Sequence, residues 1–173
     1  VEELLRPPDD GRLTLGAREP VALAALVAEV VALLAGRAAR AGVSLRAVGG
    51  PAPVLGDKDR LKQALINLAD NALRVSPAGG TVLIRTERAL ATAHLAVEDQ
   101  GPGVPPALAA QIWERGVRGG DPGTDGSAGL GLAIVREIAA AHGGRAFLDE
   151  RYSPGARFVI ELPTVVAYEG TLE

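Results

Sequence analysis

The chain contains no cysteine, which excludes disulfides, thiolate zinc sites and thiol catalysis together. It has no methionine, even at position 1, and so reads as a piece of a longer chain. Aromatic residues make up only 3% of it, leaving Ala, Leu, Val and Ile to build any core. Its two histidines are too few for a dedicated histidine metal cage. Basic charge is not in excess: a net charge of −3 argues against a nucleic-acid or anionic-membrane surface. Long apolar runs are missing too. The most apolar stretch, 21–36, is interrupted by Glu29 and falls short of the roughly 20 residues that span a bilayer. No secretory signal pattern opens the chain. What is present is ordinary globular composition, 173 residues with 47% hydrophobic and 23% charged, enough for one domain.

The first twenty residues read as a boundary, with 1–11 as linker. Residues 1–6 have the pattern of a last helical turn, broken by Pro7, Pro8 and Gly11. Residues 12–15 alternate polar and apolar as a short strand would. A helix is expected over 21–40, opened by Pro20, with Leu23, Leu26, Val27, Val30, Val31 and Leu34 on one face and Gly42 beyond its end. A strand at 43–48 and a short extended piece at 53–55 follow. Asp57 is a suitable N-cap for a second helix reaching Arg74. Strands at 81–88 and 93–98 form a hairpin. From Gly101 to Gly131 the chain carries nine glycines and four prolines, with one short helical pattern at 107–113. A helix over 130–141 and strands at 145–149 and 157–162 complete the domain, and 164–173 is a tail. Paired strands separated by single helices do not make a doubly wound sheet. They predict an α/β sandwich: a mixed, largely antiparallel sheet with three main helices packed on one face.

Three stretches carry polar chemistry. On the second helix Gln63, Asn67, Asp70, Asn71 and Arg74 share one stripe, at about 100° per residue, opposite Leu61, Leu65, Leu68 and Ala72. Asn is a poor helix former. The stripe suits either a solvated face or an amide pair that ligates a cation and phosphate, with Arg74 adding charge. Next, an apolar strand runs into Asp99-Gln100-Gly101-Pro102-Gly103. A carboxylate there can accept from an exocyclic amine while the glycines let backbone approach a flat ring. Third, Gly126 to Leu132 opens a helix, and glycines at a helix N-terminus turn free N–H groups outward. Either a flexible loop or a phosphate cradle fits that pattern. No Walker lysine follows, and no strand immediately precedes it.

Together these motifs resemble the Bergerat-type ATPase superfamily of gyrases, histidine kinases, stress chaperones and mismatch-repair ATPases. They are most similar to the catalytic ATP-binding domain of sensor histidine kinases. Residues 57–72 (DKDRLKQALINLADNA) resemble that family's N box, 99–103 its first glycine box, 112–118 (IWERGVR) its F box and 127–132 (SAGLGL) its second glycine box. The segment 155–163 resembles its terminal strand. The resemblance covers residues 12–163, with 1–11 as the end of an upstream dimerisation helix and linker. It implies a Bergerat ATP-binding fold with ATP and Mg²⁺ as ligands. Asn71 would be the metal ligand, with Asn67 near the phosphates and Arg74 in place of a phosphate-contacting Lys. Asp99 would read the adenine amine; Gly101, Gly103 and Val104 would shape the base pocket. Arg118 would reach the phosphates from a lid, and Ser127, Ala128, Gly129, Leu130, Gly131 and Leu132 would line the phosphate chain. Val75, Gly116 and Ser127 stand where the family usually has an aromatic, a phenylalanine and a glycine.

The resemblance further implies an ATP-dependent histidine kinase in two-component signalling. Its γ-phosphoryl group would go to a histidine on an adjacent dimerisation domain, and then to a response regulator. Neither His94 nor His142 has the sequence context of that acceptor. The parent protein is expected to be a homodimer at the cell membrane, with this domain cytoplasmic, outside the bilayer and not bound to nucleic acid. The alternatives are an ATP-hydrolysing clamp of the gyrase or mismatch-repair kind and a nucleotide-binding regulator without chemistry. A clamp would carry a water-activating Glu one turn before the metal Asn, where this chain has Asn67.

Overall fold

In a computed structural model of the chain, residues 13–114 and 131–165 are described. The expected helix end at 1–6, the tail beyond 165, and the candidate site residues Arg118, Ser127, Ala128, Gly129 and Leu130 lie outside them. Chain order is β1 (Glu19–Ala22), α1 (Leu23–Ala41), β2 (Ser44–Gly49), β3 (Pro53–Gly56), α2 (Lys58–Val75), β4 (Thr81–Arg88), β5 (Thr92–Glu98), α3 (Gly131–Ala141), β6 (Arg145–Leu148) and β7 (Arg157–Pro163). Five strands form one sheet in the order β2-β4-β5-β7-β6, while β1 and β3 pair separately. Only β2 and β4 run parallel; β4–β5, β5–β7 and β6–β7 are antiparallel. This is the expected sandwich.

Period-two alternation decides which strand residues meet the helices. Val82, Ile84, Ala93, Leu95, Val97, Phe158, Ile160 and Leu162 join the helix residues Leu26, Val30, Leu61, Leu65, Leu68 and Ile138 in one buried cluster. Trp113 and Phe158 are the aromatic members of that core, meeting edge-on with ring centroids 5.7 Å apart. The opposite sheet face is polar and paired. Glu98 accepts from Arg157 at 2.6 Å and from Arg85 at 3.2 Å, and Glu161 binds Arg145 and His94.

Three expectations are corrected. Residues 13–18 form no strand: the Gly16 N–H is spent on the Asp57 carboxylate, and the first ladder forms where β3 offers a partner, at Glu19–Ala22. Pro20 therefore sits in a two-stranded ribbon instead of opening α1, a place where its missing N–H costs little. The first N–H groups of α1 are satisfied by Ala52 and Pro51 carbonyls, so Ala22 can precede the helix without a side-chain cap. Residues 106–113 are a run of turns, closed mostly by i→i−3 bonds such as Leu108 N–H to Pro105 O and Gln111 N–H to Leu108 O.

The second helix starts as expected. Asp57 accepts from the Arg60 N–H at 3.1 Å, a cap worth about 1 kcal/mol. That bond holds the Asp57 carboxyl below its usual pKa, helped by Gly16 and opposed by burial. Its contribution is present above the ordinary carboxylate range and is lost as pH falls through the lowered value.

Candidate functional site

The alternation that buries Ala93, Leu95 and Val97 carries Asp99 to the helix side of the sheet end, where it is 2% exposed. Two backbone donors hold its carboxylate, the Gly101 N–H at 2.9 Å and the Ala156 N–H at 3.2 Å, and both reach Oδ1. The Asp99 N–H donates in turn to Ala156 O at 2.9 Å. Burial pushes the Asp99 pKa up, and the two N–H donors pull it partly back. A carboxylate fixed by one oxygen in an apolar corner presents the other as a directional acceptor.

The surrounding glycines are tight. A Cβ on Gly101 would lie 2.8 Å from Val75 O, so the turn seats directly on the end of α2. Gly155, at φ 95°, has room for no side chain, since a Cβ there would meet Asp99 O at 1.9 Å. Gly103 is also left-handed, at φ 74°, facing Gly155 O. Val104 is partly buried against the core. Ser76, at the C-cap of α2, carries the buried side-chain oxygen without a hydrogen-bond partner among the described residues, an orphan that water or a ligand can satisfy.

The polar stripe of α2 divides. Gln63 accepts from Arg60 on its own helix, and Asp70 pairs with Arg37 of α1 at 2.5 Å, so these two belong to solvated faces. Asn67 turns to α3 instead, its Nδ2 donating to Gly131 O at 3.4 Å. Arg74 donates to Asn71 Oδ1, so that amide oxygen already faces a cation. Leu132 packs partly buried against the core. Asn67 thus meets Gly131 where α2 faces α3, with Asn71 one turn further along α2, while Asp99, Gly101, Gly103 and Val104 gather at the sheet end. The Val75–Gly101 contact joins the two groups.

Gly155 and Ala156, which lie against Asp99, entered the sequence reading only as the start of the terminal strand and not as site candidates. Ala156 acts through its backbone alone, and its side chain carries no signal. Gly155 could have been suspected only as a glycine immediately before a strand.

Among the described residues no cluster of three or more His, Cys, Asp or Glu could hold a metal unaided. The amide oxygen of Asn71 is a hard donor of the kind Mg²⁺ takes singly, when substrate and water oxygens fill the rest of its shell. No described helix is long and apolar enough to cross a membrane.

Residues 56–166 match the family described as histidine kinase-, DNA gyrase B-, and HSP90-like ATPase. The chain is 41% identical over 111 residues to the sensor protein DivL of Caulobacter vibrioides, covering 64% of this chain and 14% of DivL. It spans between 14% and 28% of such curated relatives. Among solved structures, a mycobacterial sensor histidine kinase MprB aligns with a TM-score of 0.75 at 32% identity, over 86% of this chain and 98% of that one. Full-length ShkA in complex with AMPPNP aligns with a TM-score of 0.77 at 35% identity, over 90% of this chain and 32% of that one.

Proposed function

The chain belongs to the histidine kinase-, DNA gyrase B- and HSP90-like ATPase family, and on that footing we propose that it binds Mg²⁺·ATP and passes the γ-phosphoryl group to a histidine of a neighbouring dimerisation domain. The observation that carries the reading is Asp99, a buried carboxylate held through Oδ1 by two N–H groups. Such an acceptor suits the exocyclic amine of adenine and repels the guanine carbonyl. The similarity to ShkA, solved in complex with AMPPNP, supports an adenine nucleotide as the ligand.

Asn67, Asn71 and Arg74 would take the phosphate end, with the Gly131 and Leu132 N–H groups at the start of α3. Asn71 Oδ1 would hold Mg²⁺, which when bound neutralises phosphate charge. Transfer forms a bond from an imidazole nitrogen to the γ-phosphorus and breaks the bridging O–P bond, leaving the electron pair on ADP. The residue one turn before Asn71 is Asn67, whose amide takes no proton. A neutral imidazole brings its own lone pair near pH 7, so a histidine is an acceptor that needs no base from this domain. The clamp reading requires such a base. A response regulator would then draw the phosphoryl group from the phosphohistidine. The parent would be a homodimer anchored at the cell membrane, with this domain on the cytoplasmic side.

The test mixes the chain with labelled ATP and a separately made dimerisation domain that contains the acceptor histidine. Acid-labile, base-stable label should appear on the added domain. Asn71→Ala should reduce Mg²⁺-dependent ATP affinity by about tenfold while changing metal-free ADP affinity little. Rapid hydrolysis without transfer would instead favour the clamp, and an unchanged Mg²⁺ dependence would remove Asn71 from the metal site.

A further inference from the structure

α3 is held to α2 near both of its own ends by different bonds. At one end Asn67 donates to Gly131 O. At the other lies the His142 ring, 5% exposed, just beyond α3. Its Nε2 accepts from the Asp57 backbone N–H at 3.0 Å, and its Nδ1 meets Ile138 O at 2.7 Å. A nitrogen that accepts from an N–H carries no proton, so the ring is the Nδ1–H tautomer and donates to Ile138. Gly56 leaves the ring its space, since a Cβ there would lie 2.8 Å from His142 Cδ2. The same corner holds the segment leading into the fold. Gly16 donates to the Asp57 carboxylate at 2.7 Å, and Arg18 donates to Ala141 O at 2.9 Å.

The two pins enclose matched lengths of helix. At 1.5 Å per residue, Asp57 to Asn67 and Gly131 to His142 each span roughly 15–17 Å. The remaining burial of α3, through Val135, Ile138 and Ala139, is apolar and non-directional. It fixes how deep the helix lies, while the pins fix where it stands along α2.

We propose that His142 is a positioning residue for the nucleotide site. By tying the far end of α3 to the N-cap of α2, it sets the axial place of Gly131 and Leu132 against Asn67 and Asn71. The proposal rests on the nucleotide-binding reading above. Because residues 13–18 act on the same Asp57, their docking and nucleotide binding become linked, and the linkage runs equally in both directions.

The test uses the full chain with Mg²⁺ and a non-hydrolysable ATP analogue. His142→Leu removes the acceptor. His142→Gln restores a side-chain acceptor. Gly56→Ala crowds the ring without altering it, and crowds Leu61 Cδ1 at 2.9 Å as well, so its affinity is read against its own unfolding midpoint. Calorimetry gives the analogue Kd, urea unfolding gives stability, and amide exchange follows the Asp57 N–H. Expected is a loss of about five- to tenfold in affinity for His142→Leu and Gly56→Ala, largely recovered in His142→Gln. Bound analogue should slow Asp57 exchange in the wild type and leave it unchanged in His142→Leu. Variants that lose stability yet keep wild-type affinity would overturn the proposal, as would wild-type Asp57 exchange indifferent to the analogue. If His142→Leu does not fold, Gly56→Ala against His142→Gln decides the matter. A wild type that binds no analogue rejects the nucleotide reading itself, and this proposal with it.

Discussion

Asp99→Asn should bind ATP about 100-fold more weakly than the wild type and yet melt at a higher temperature. The amide keeps an oxygen for the Gly101 and Ala156 N–H groups, so the local turn survives. Its NH₂ then stands where, on the proposed reading, the second carboxylate oxygen would accept the adenine amine, and two donors would face each other, a mismatch that costs about 2–3 kcal/mol in a buried site. Stability moves the other way because burial raises the Asp99 pKa. A raised acid pKa means that the folded state resists the charge. Its stabilising influence is complete only below the unfolded carboxylate pKa and is lost as pH rises through the folded one. Removing the charge should therefore gain on the order of 1 kcal/mol near neutral pH, and the gain should shrink as pH falls through the carboxylate range. Titration calorimetry and melting curves at several pH values check both halves. A variant that melts lower at neutral pH, or binds ATP undiminished, contradicts the assignment.

Gly155→Ala should be the most disruptive single methyl group that can be added near the site. The residue stands at φ 95°, and the new Cβ would sit 1.9 Å from the Asp99 carbonyl oxygen. Backbone strain and the forced retreat of the Asp99 strand end together should cost about 3–5 kcal/mol and remove nucleotide binding, because Ala156 would no longer reach Asp99. Gly50→Ala is the matched control, with nothing within 4 Å of the added Cβ; it should stay within about 0.5 kcal/mol of the wild type. Urea midpoints at constant m-value separate the two. Equal midpoints would mean that the chain moves aside at Gly155 and that the Asp99–Ala156 pairing is not rigid.

Periodicity made α1, α2 and α3 legible because each buries one face, and the burial pattern is written in the spacing of Leu, Val and Ile. The strands were legible as segments, and their order was not. Nothing in residues 157–163 says that β7 enters between β5 and β6, since pairing is made by backbone groups common to every residue. Pro20 misled for a similar reason: it suits a helix start and a ribbon edge alike, and the choice was made by β3. At the candidate site, side-chain types such as Asp99, Asn67 and Asn71 could be picked out from the sequence as candidates. The Ala156 N–H, 57 positions from Asp99 in sequence, could not. The α2 stripe stayed open between a solvated face and a ligand face, because helical spacing cannot tell that Arg37 of α1 waits opposite Asp70.

Trp113 is the chain's single tryptophan, and its edge contact with Phe158 makes it a local optical reporter. Phe158 faces Val97 across the β5–β7 ladder, two residues before Asp99. The indole, 9% exposed, hangs at the end of the turn run that follows the Asp99 glycine box. Its emission colour therefore registers whether that run is seated on the sheet, while the far-ultraviolet helix signal registers α1, α2 and α3 together. The two light signals divide the molecule into the turn run that follows the Asp99 glycines and the helical layer, without a label or an added chromophore.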